Sequence, residues 1–184
     1  FGTISFPASA IEINIDGKLD EEDWASARQI TKYYETMPFT LAEPSHSQKV
    51  LILEDEKGIY FGFINIQKNE TIRKQKHQRD EEMANADMVG VSLDFDGDGL
   101  LSYGFTISAG GSINDNVVRN ENEMDYDWDA DWKHGAHIEG DAWYAEMFIP
   151  WTIAPMKAQK GTKRKIKYSF YRWLRGDFIV YTTT

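Results

Sequence analysis

Hydrophobic and polar positions alternate most cleanly between residues 87 and 115. Val89, Val91, Leu93 and Phe95 share one face of an outgoing run; Leu101, Tyr103, Phe105, Ile107 and Ala109 share one face of the return. Period two is the signature of a pleated strand with one side turned to a core. The other side of the return run is small and polar: Ser102, Gly104, Thr106 and Ser108. Such a face either meets solvent or floors a shallow groove. An acidic, glycine-rich turn joins the two runs, which predicts a hairpin at the centre of a sandwich.

The same patterning recurs along the chain. Residues 11–15 alternate and predict a short strand, ended by a turn at Asp16-Gly17. Asp20 is a good N-cap, and Glu21 and Glu22 follow in a first turn. A helix over 21–27 is expected, with Leu19, Trp24 and Ala27 on its apolar side, plugging one end of the sandwich with Trp24 as anchor. Residues 30–39 predict a strand ending in a turn at Pro38, then a loop over 41–47. Residues 49–54 and 59–66 are strongly apolar runs separated by Asp55-Glu56-Lys57-Gly58, a hairpin signature. The second run is apolar on both faces, so it should be covered on both sides.

Residues 69–77 suggest a helical turn and 78–86 a surface stretch. Residues 112–118 continue as strand, and 120–132 form an acidic, aromatic loop. Residues 136–139 and 142–149 make a hairpin about Gly140-Asp141, closed by Pro150. Residues 165–174 alternate again, and 178–181 form a last strand after Gly176-Asp177. Nine or more strands with little helix predict an all-β, antiparallel β-sandwich or jelly roll.

Composition sharpens this picture. The 184 residues suffice for one domain with a substantial core. Residues 1–10 look like an irregular lead-in, and the ending directly after a strand suggests a piece of a longer protein. Aromatics make up 14%, as befits half-buried pleated surfaces and flat-ligand platforms alike. The net charge of −10 argues against a broad nucleic-acid interface. Charge is unevenly spread: 121–131 holds only acids, 157–167 only bases. These runs are two solvated loops, or else loops that pair or mark opposite faces. With no cysteine, disulfides, thiolate metal sites and cysteine nucleophiles are excluded.

Several pieces, in order, resemble the family 9 carbohydrate-binding modules. They are Ile15-Asp16-Gly17-Lys18-Leu19-Asp20-Glu21-Glu22-Asp23-Trp24, Lys57-Gly58-Ile59-Tyr60-Phe61-Gly62-Phe63 and Asp87-Met88-Val89-Gly90-Val91-Ser92-Leu93-Asp94. Tyr103-Gly104-Phe105, Trp128-Asp129-Ala130-Asp131-Trp132 and Trp143-Tyr144-Ala145-Glu146-Met147-Phe148-Ile149-Pro150-Trp151 follow. The subtype resembled stands N-terminal to a bacterial envelope domain of unknown function. The resemblance implies a DOMON-like β-sandwich, sugar binding between aromatic rings and structural calcium, in an exported protein at the periplasm, outer membrane or cell surface. Related sandwiches bind haem, but no clear Met/His axial pair is present.

Two sets of residues carry candidate chemistry. Asp94, Asp96 and Asp98 with Gly99 form D-x-D-x-D-G, and clustered hard oxygens on a tight turn suit calcium. The carbonyl of Leu100 would add a ligand. Phe105 stands where an EF-hand needs its bidentate Glu, so the set is incomplete by itself. Without an ion, this is a hairpin turn whose carboxylates repel one another. Tyr126, Trp128, Trp132 and Trp173 are the candidate sugar-stacking rings; packing against the core is the alternative for each. His134 and His137 would point to opposite faces of a strand, which argues against zinc. No nucleophile, phosphate-loop or dinucleotide motif is found. The expected function is a non-catalytic carbohydrate-binding module with a structural calcium; the alternative is a structural or interaction domain serving an attached C-terminal domain.

Overall fold

The structure is a computed structural model that describes residues 2–3, 11–81, 84–120, 123–158 and 164–183. Nearly all of the lead-in, and parts of both charged runs, lie outside the described residues. Two antiparallel sheets face each other. The first has the order β3 (Tyr34–Met37), β13 (Ile179–Thr182), β12 (Lys165–Leu174), β6 (Met88–Asp94), β7 (Leu101–Ser108), β8 (Ile113–Arg119) and β9 (Glu123–Asp125), with β1 (Gly2–Thr3) also paired to β12. The second has the order β10 (Lys133–Glu139), β11 (Ala142–Pro150), β5 (Gly58–Ile66), β4 (Gln48–Glu54) and β2 (Arg28–Ile30).

The period-two residues of β6 and β7 line the core as expected. Val89, Val91, Leu93, Phe105 and Ile107 are fully buried, facing Val50, Phe61, Phe63, Trp143, Ala145 and Met147 of the second sheet. Phe170 of β12 sets its ring edge-on to Phe61 and Phe63, centroids 5.4 and 6.0 Å away, and so ties the sheets together. Arg172, two residues on and also fully buried, reaches across to the carbonyls of Ser47 and Ile66 and to Gln67 Oε1. Gln67 in turn donates to Asp87 at 2.8 Å.

β5 is covered on both sides, and its second cover comes from the chain's beginning. Ile11, Ile13, Ile15, Leu19, Trp24 and Ala27 pack on Leu51, Tyr60, Ile64 and Phe148, the outer face of the second sheet. Here three expectations are corrected. Residues 11–15 are extended but join no sheet. Their alternate amides are taken by carboxylates instead: Glu12 N–H by Asp23, Asn14 N–H by Glu21 and Asp16 N–H by Glu146. Side chains thus replace the strand ladder. The helix is one 3₁₀ segment, Glu22–Ser26, and it lies over a sheet face rather than plugging an end. The run 30–39 is divided, because the chain leaves the second sheet after β2 and enters the first at β3.

Glu146 is the fastening. Its carboxylate accepts the amides of Asp16 (2.9 Å) and Gly17 (2.8 Å) and the indole N–H of Trp24 (3.1 Å). Gly135 lies opposite Glu146 on β10, and the Asp16-Gly17 turn crosses directly over it. A Cβ on Gly135 would stand 2.6 Å from the Asp16 carbonyl carbon, and Gly17 has φ +92°, so both glycines serve this contact.

Burial lifts the Glu146 carboxyl from its ordinary 4.5 to about 7, against the pull of its three donors and with a smaller push from Glu21. A folded-state pKa above the unfolded one means the folded state holds the extra proton. Glu146 therefore contributes most below pH 4.5, and its contribution is lost as pH rises through 7, by on the order of 3 kcal/mol in all. Urea unfolding of wild type and Glu146→Gln should show this: the wild-type stability change between pH 4.5 and 8 should contain a falling component that the variant lacks.

Candidate functional site

Residues 11–27 close the outer face of the second sheet, so the open face is that of the first. Strand pairing sets its side chains in rows. One row is Tyr171, Gly90, Thr106 and Asn114; the next is Ser169, Ser92, Gly104 and Asn116. The floor is almost free of bulk. A Cβ on Gly90 would collide with the Tyr171 ring, whose hydroxyl pairs with Thr106, and a Cβ on Gly104 would collide with the Asn116 amide. A groove of about 340 Å³ follows, lined by Ser92, Leu100, Ser102, Val118, Lys167 and Ser169 among others. Its polar groups are hydroxyls and the Asp94 carboxylate, with Lys167 as a cation at the rim.

The acidic turn forms one end of this groove. Asp94 holds the turn together: Oδ1 accepts the amides of Asp96 and Gly97, and Oδ2 that of Gly99. Gly97 and Gly99 have φ +69° and +81°, the left-handed conformations such a turn needs. Lys157 Nζ sits 2.7 Å from Asp98 and 3.8 Å from Asp96, and Arg164 reaches Asp96 at 3.4 Å. The Lys157 pairing holds the Asp98 carboxyl below its usual range. The repulsion that suggested calcium is thus met by two cations from the basic run. The exposed Leu100 side chain lies over the groove.

The four candidate rings are not gathered into one site. Trp132 is buried, edge-on to Phe105 at 5.5 Å, with its indole N–H on Asp115. Trp128 is half-buried against Tyr103 and Phe105. Tyr103 and Phe105 point inward, so both tryptophans close the core's edge and turn away from the groove. The reason is the apolar gap left beside β7 and β8, which the loop covers. Tyr126 is half-exposed on that loop, its hydroxyl directed to the Met124 sulfur at 3.5 Å. Trp173 is on the groove face, but at its far end, packed with Met88, Ala84 and Ala86 beneath the Arg175 guanidinium at 4.7 Å. Sequence reading missed Ser169 and Lys167 in the groove, and Tyr171 and Asn116 beside it on the same face. The alternation over 165–174 held the signal, but their common surface depends on which strands pair.

Asp80, Asp115 and Asp129 converge, with carboxylate oxygens within 4.8 Å of one another. Arg79 fills the centre: 2.6 Å from Asp115, 2.8 Å from Asp129 and 3.6 Å from Asp80. Asp115, wholly buried, also takes the Ala130 amide and the Trp132 indole. This is a structural hub that pins the aromatic loop to β8.

No protein-family sequence model matches the chain, and no curated protein sequence does. Solved structures do. One is a family 9 carbohydrate-binding module from Caldicellulosiruptor kristjanssonii in complex with glucose: TM-score 0.64 and 12% identity, over 97% of this chain and 82% of that one. The fold is that of a family 9 carbohydrate-binding module. The complex of such a module from the same organism with cellotriose agrees, at TM-score 0.61 and 14% identity over 93% and 78% of the two chains.

Asp115→Asn should destabilise the protein by about 2–4 kcal/mol, because it strips a buried ion pair while leaving the shape. Chemical denaturation measures the loss, and Trp128 and Trp132 fluorescence should shift red in the folded state as the loop loosens.

Proposed function

We propose that the chain is a non-catalytic carbohydrate-binding module that takes a glycan along the open face of its first sheet. The observation that carries this is the groove lined by Ser92, Ser102 and Ser169, bounded by Leu100 and Lys167 on a sheet otherwise covered by core and loops. The serine hydroxyls suit sugar hydroxyls, while Leu100 and Val118 offer apolar surface to sugar C–H groups. The likeness to modules seen with glucose and cellotriose supports the reading. The carboxyl groups pushed upward, Glu146 and Asp80, are committed elsewhere: one fastens residues 16–17, the other accepts the Asp115 amide. Neither faces a bond to be cut in the groove, which favours binding over hydrolysis. Among the described residues no helix is long and apolar enough to cross a membrane. The exported, envelope-associated setting implied by the sequence resemblance is part of this proposal.

Calorimetry with cello- and xylo-oligosaccharides tests it. Binding should be measurable in wild type and fall at least tenfold in Ser169→Trp, which fills the groove from its solvent side. Oligosaccharide binding that ignores this substitution, or none at all, would remove the groove reading. The second outcome would favour an interaction domain with no sugar affinity, a reading that the core-facing Trp128 and Trp132 support.

Structural calcium at the turn belongs to the same proposal in a specific form. Asp96, Asp98 and the Leu100 carbonyl would be the ligands, and Lys157 competes with the ion for both carboxylates. Lys157→Ala should then show a larger calcium-dependent rise in melting temperature than wild type. Absence of a calcium-dependent rise in both proteins removes the ion from the turn.

A further inference from the structure

A second polar pocket lies at the opposite end of the sandwich from the acidic turn. It opens where the chain crosses from β2 to β3 and returns to β4. Its volume is about 670 Å³, larger than the groove, and Tyr33, Tyr34, Pro44, His46 and Gln48 are among its walls.

Its polar groups are unusual for their lack of partners. Tyr33 and Gln48 are 3% and 5% exposed, yet the Tyr33 hydroxyl and both polar atoms of the Gln48 amide have no hydrogen-bond partner in the protein. Behind them the pattern continues. Gln48, Asn65 and Trp143 stand in register on β4, β5 and β11, and Asn65 Oδ1 and the Trp143 indole N–H are also unpartnered. Arg172 Nε is unpartnered too; its Nη1 donates to the Ser47 carbonyl at the pocket wall, and its Nη2 to the Ile66 carbonyl and Gln67 Oε1. Buried polar atoms nearly always find partners, and an orphaned group calls for an external one. Tyr33 and Gln48 wall the pocket, and Asn65, Trp143 and Arg172 lie behind them at the same end of the interior.

The chemistry of these groups defines the occupant. A carboxamide offers a donor and an acceptor side by side, which matches two neighbouring hydroxyls; the tyrosine hydroxyl can serve as either. Pro44 and the Tyr34 ring supply apolar surface. Burial and the nearby Arg172 charge lower the His46 pKa, keeping the imidazole neutral at physiological pH. At the rim Lys32, over the Tyr34 ring, and Lys49 accompany Glu43, so no single charge dominates. We propose that this pocket is a second binding site that takes one neutral sugar ring, held by Gln48 and Tyr33. The assignment stands apart from the groove.

Glucose, galactose and glucuronate titrations followed by amide NMR shifts test the site, using wild type, Tyr33→Phe, Gln48→Leu and the groove variant Ser169→Trp. Saturable shifts with a neutral sugar should centre on residues 31–49, weaken at least tenfold in Gln48→Leu and several-fold in Tyr33→Phe, and persist in Ser169→Trp. Gln48→Leu should keep or raise the melting temperature, since it removes unpartnered buried groups; this separates lost binding from lost folding. Shifts confined to the groove, response to glucuronate alone, or no saturable response would overturn the proposal. So would a high-resolution structure in excess glucose with only ordered water in the pocket.

Discussion

The fold turns on one buried carboxylate. A β-sandwich built from two sheets has two outer faces, and a hydrophobic strand such as β5 needs both of its faces covered. Glu146 makes this possible by holding the Asp16 and Gly17 amides and the Trp24 indole, which lays residues 11–27 over the second sheet. Gly135 and Gly17 permit the backbone approach. A charge placed there is costly, and the raised pKa records that cost. The functional consequence is asymmetry: one outer face becomes interior, and the other is left open with a small, polar floor.

Much of the sandwich was legible because its strongest signal, period two, is local. The inward residues of β6 and β7 and the β4–β5, β6–β7 and β10–β11 hairpin turns follow from spacing alone. What failed depended on partners far away in sequence. Residues 11–15 alternate as a strand should, but they lie over the outer face of the second sheet and not along an edge, and the acids at 21, 23 and 146 supply acceptors instead. The run 30–39 looks continuous, and nothing in its composition says that it changes sheets after β2. For the site, aromatic residues in an acidic loop suggested ligand contact. Trp128 and Trp132 are instead drawn onto Phe105 and the buried Asp115, because covering apolar surface is worth more than presenting it to water. Tyr171 and Ser169 went unnoticed because a groove is a property of strand order, and strand order is not written in any single strand.

The acidic turn illustrates how context can replace an ion. Three carboxylates in five residues repel, and a divalent cation is one remedy. Here backbone amides saturate Asp94, while Lys157 and Arg164, brought over from a distant basic run, stand beside Asp96 and Asp98. Among the described residues, the basic run supplies the hairpin turn with its cations. Arg79 does the same among Asp80, Asp115 and Asp129. Both carboxylate clusters in the described residues have a cation of the chain's own at their centre or edge.

That economy makes the other end of the molecule stand out. At the acidic turn and around Arg79, clustered acids have been given cationic partners. Where the interior meets Tyr33, Gln48, Asn65, Trp143 and Arg172, donors and acceptors are left without one. Among the described residues, six of the eleven unpartnered buried polar atoms belong to these five residues, beside the largest pocket described. Orphaned polar atoms cost stability, and hydrophobic residues of similar size would remove that cost. Their presence is explained by something that satisfies them from outside the chain, and the uncharged Gln48 amide and Tyr33 hydroxyl at the pocket wall suit polar, uncharged matter.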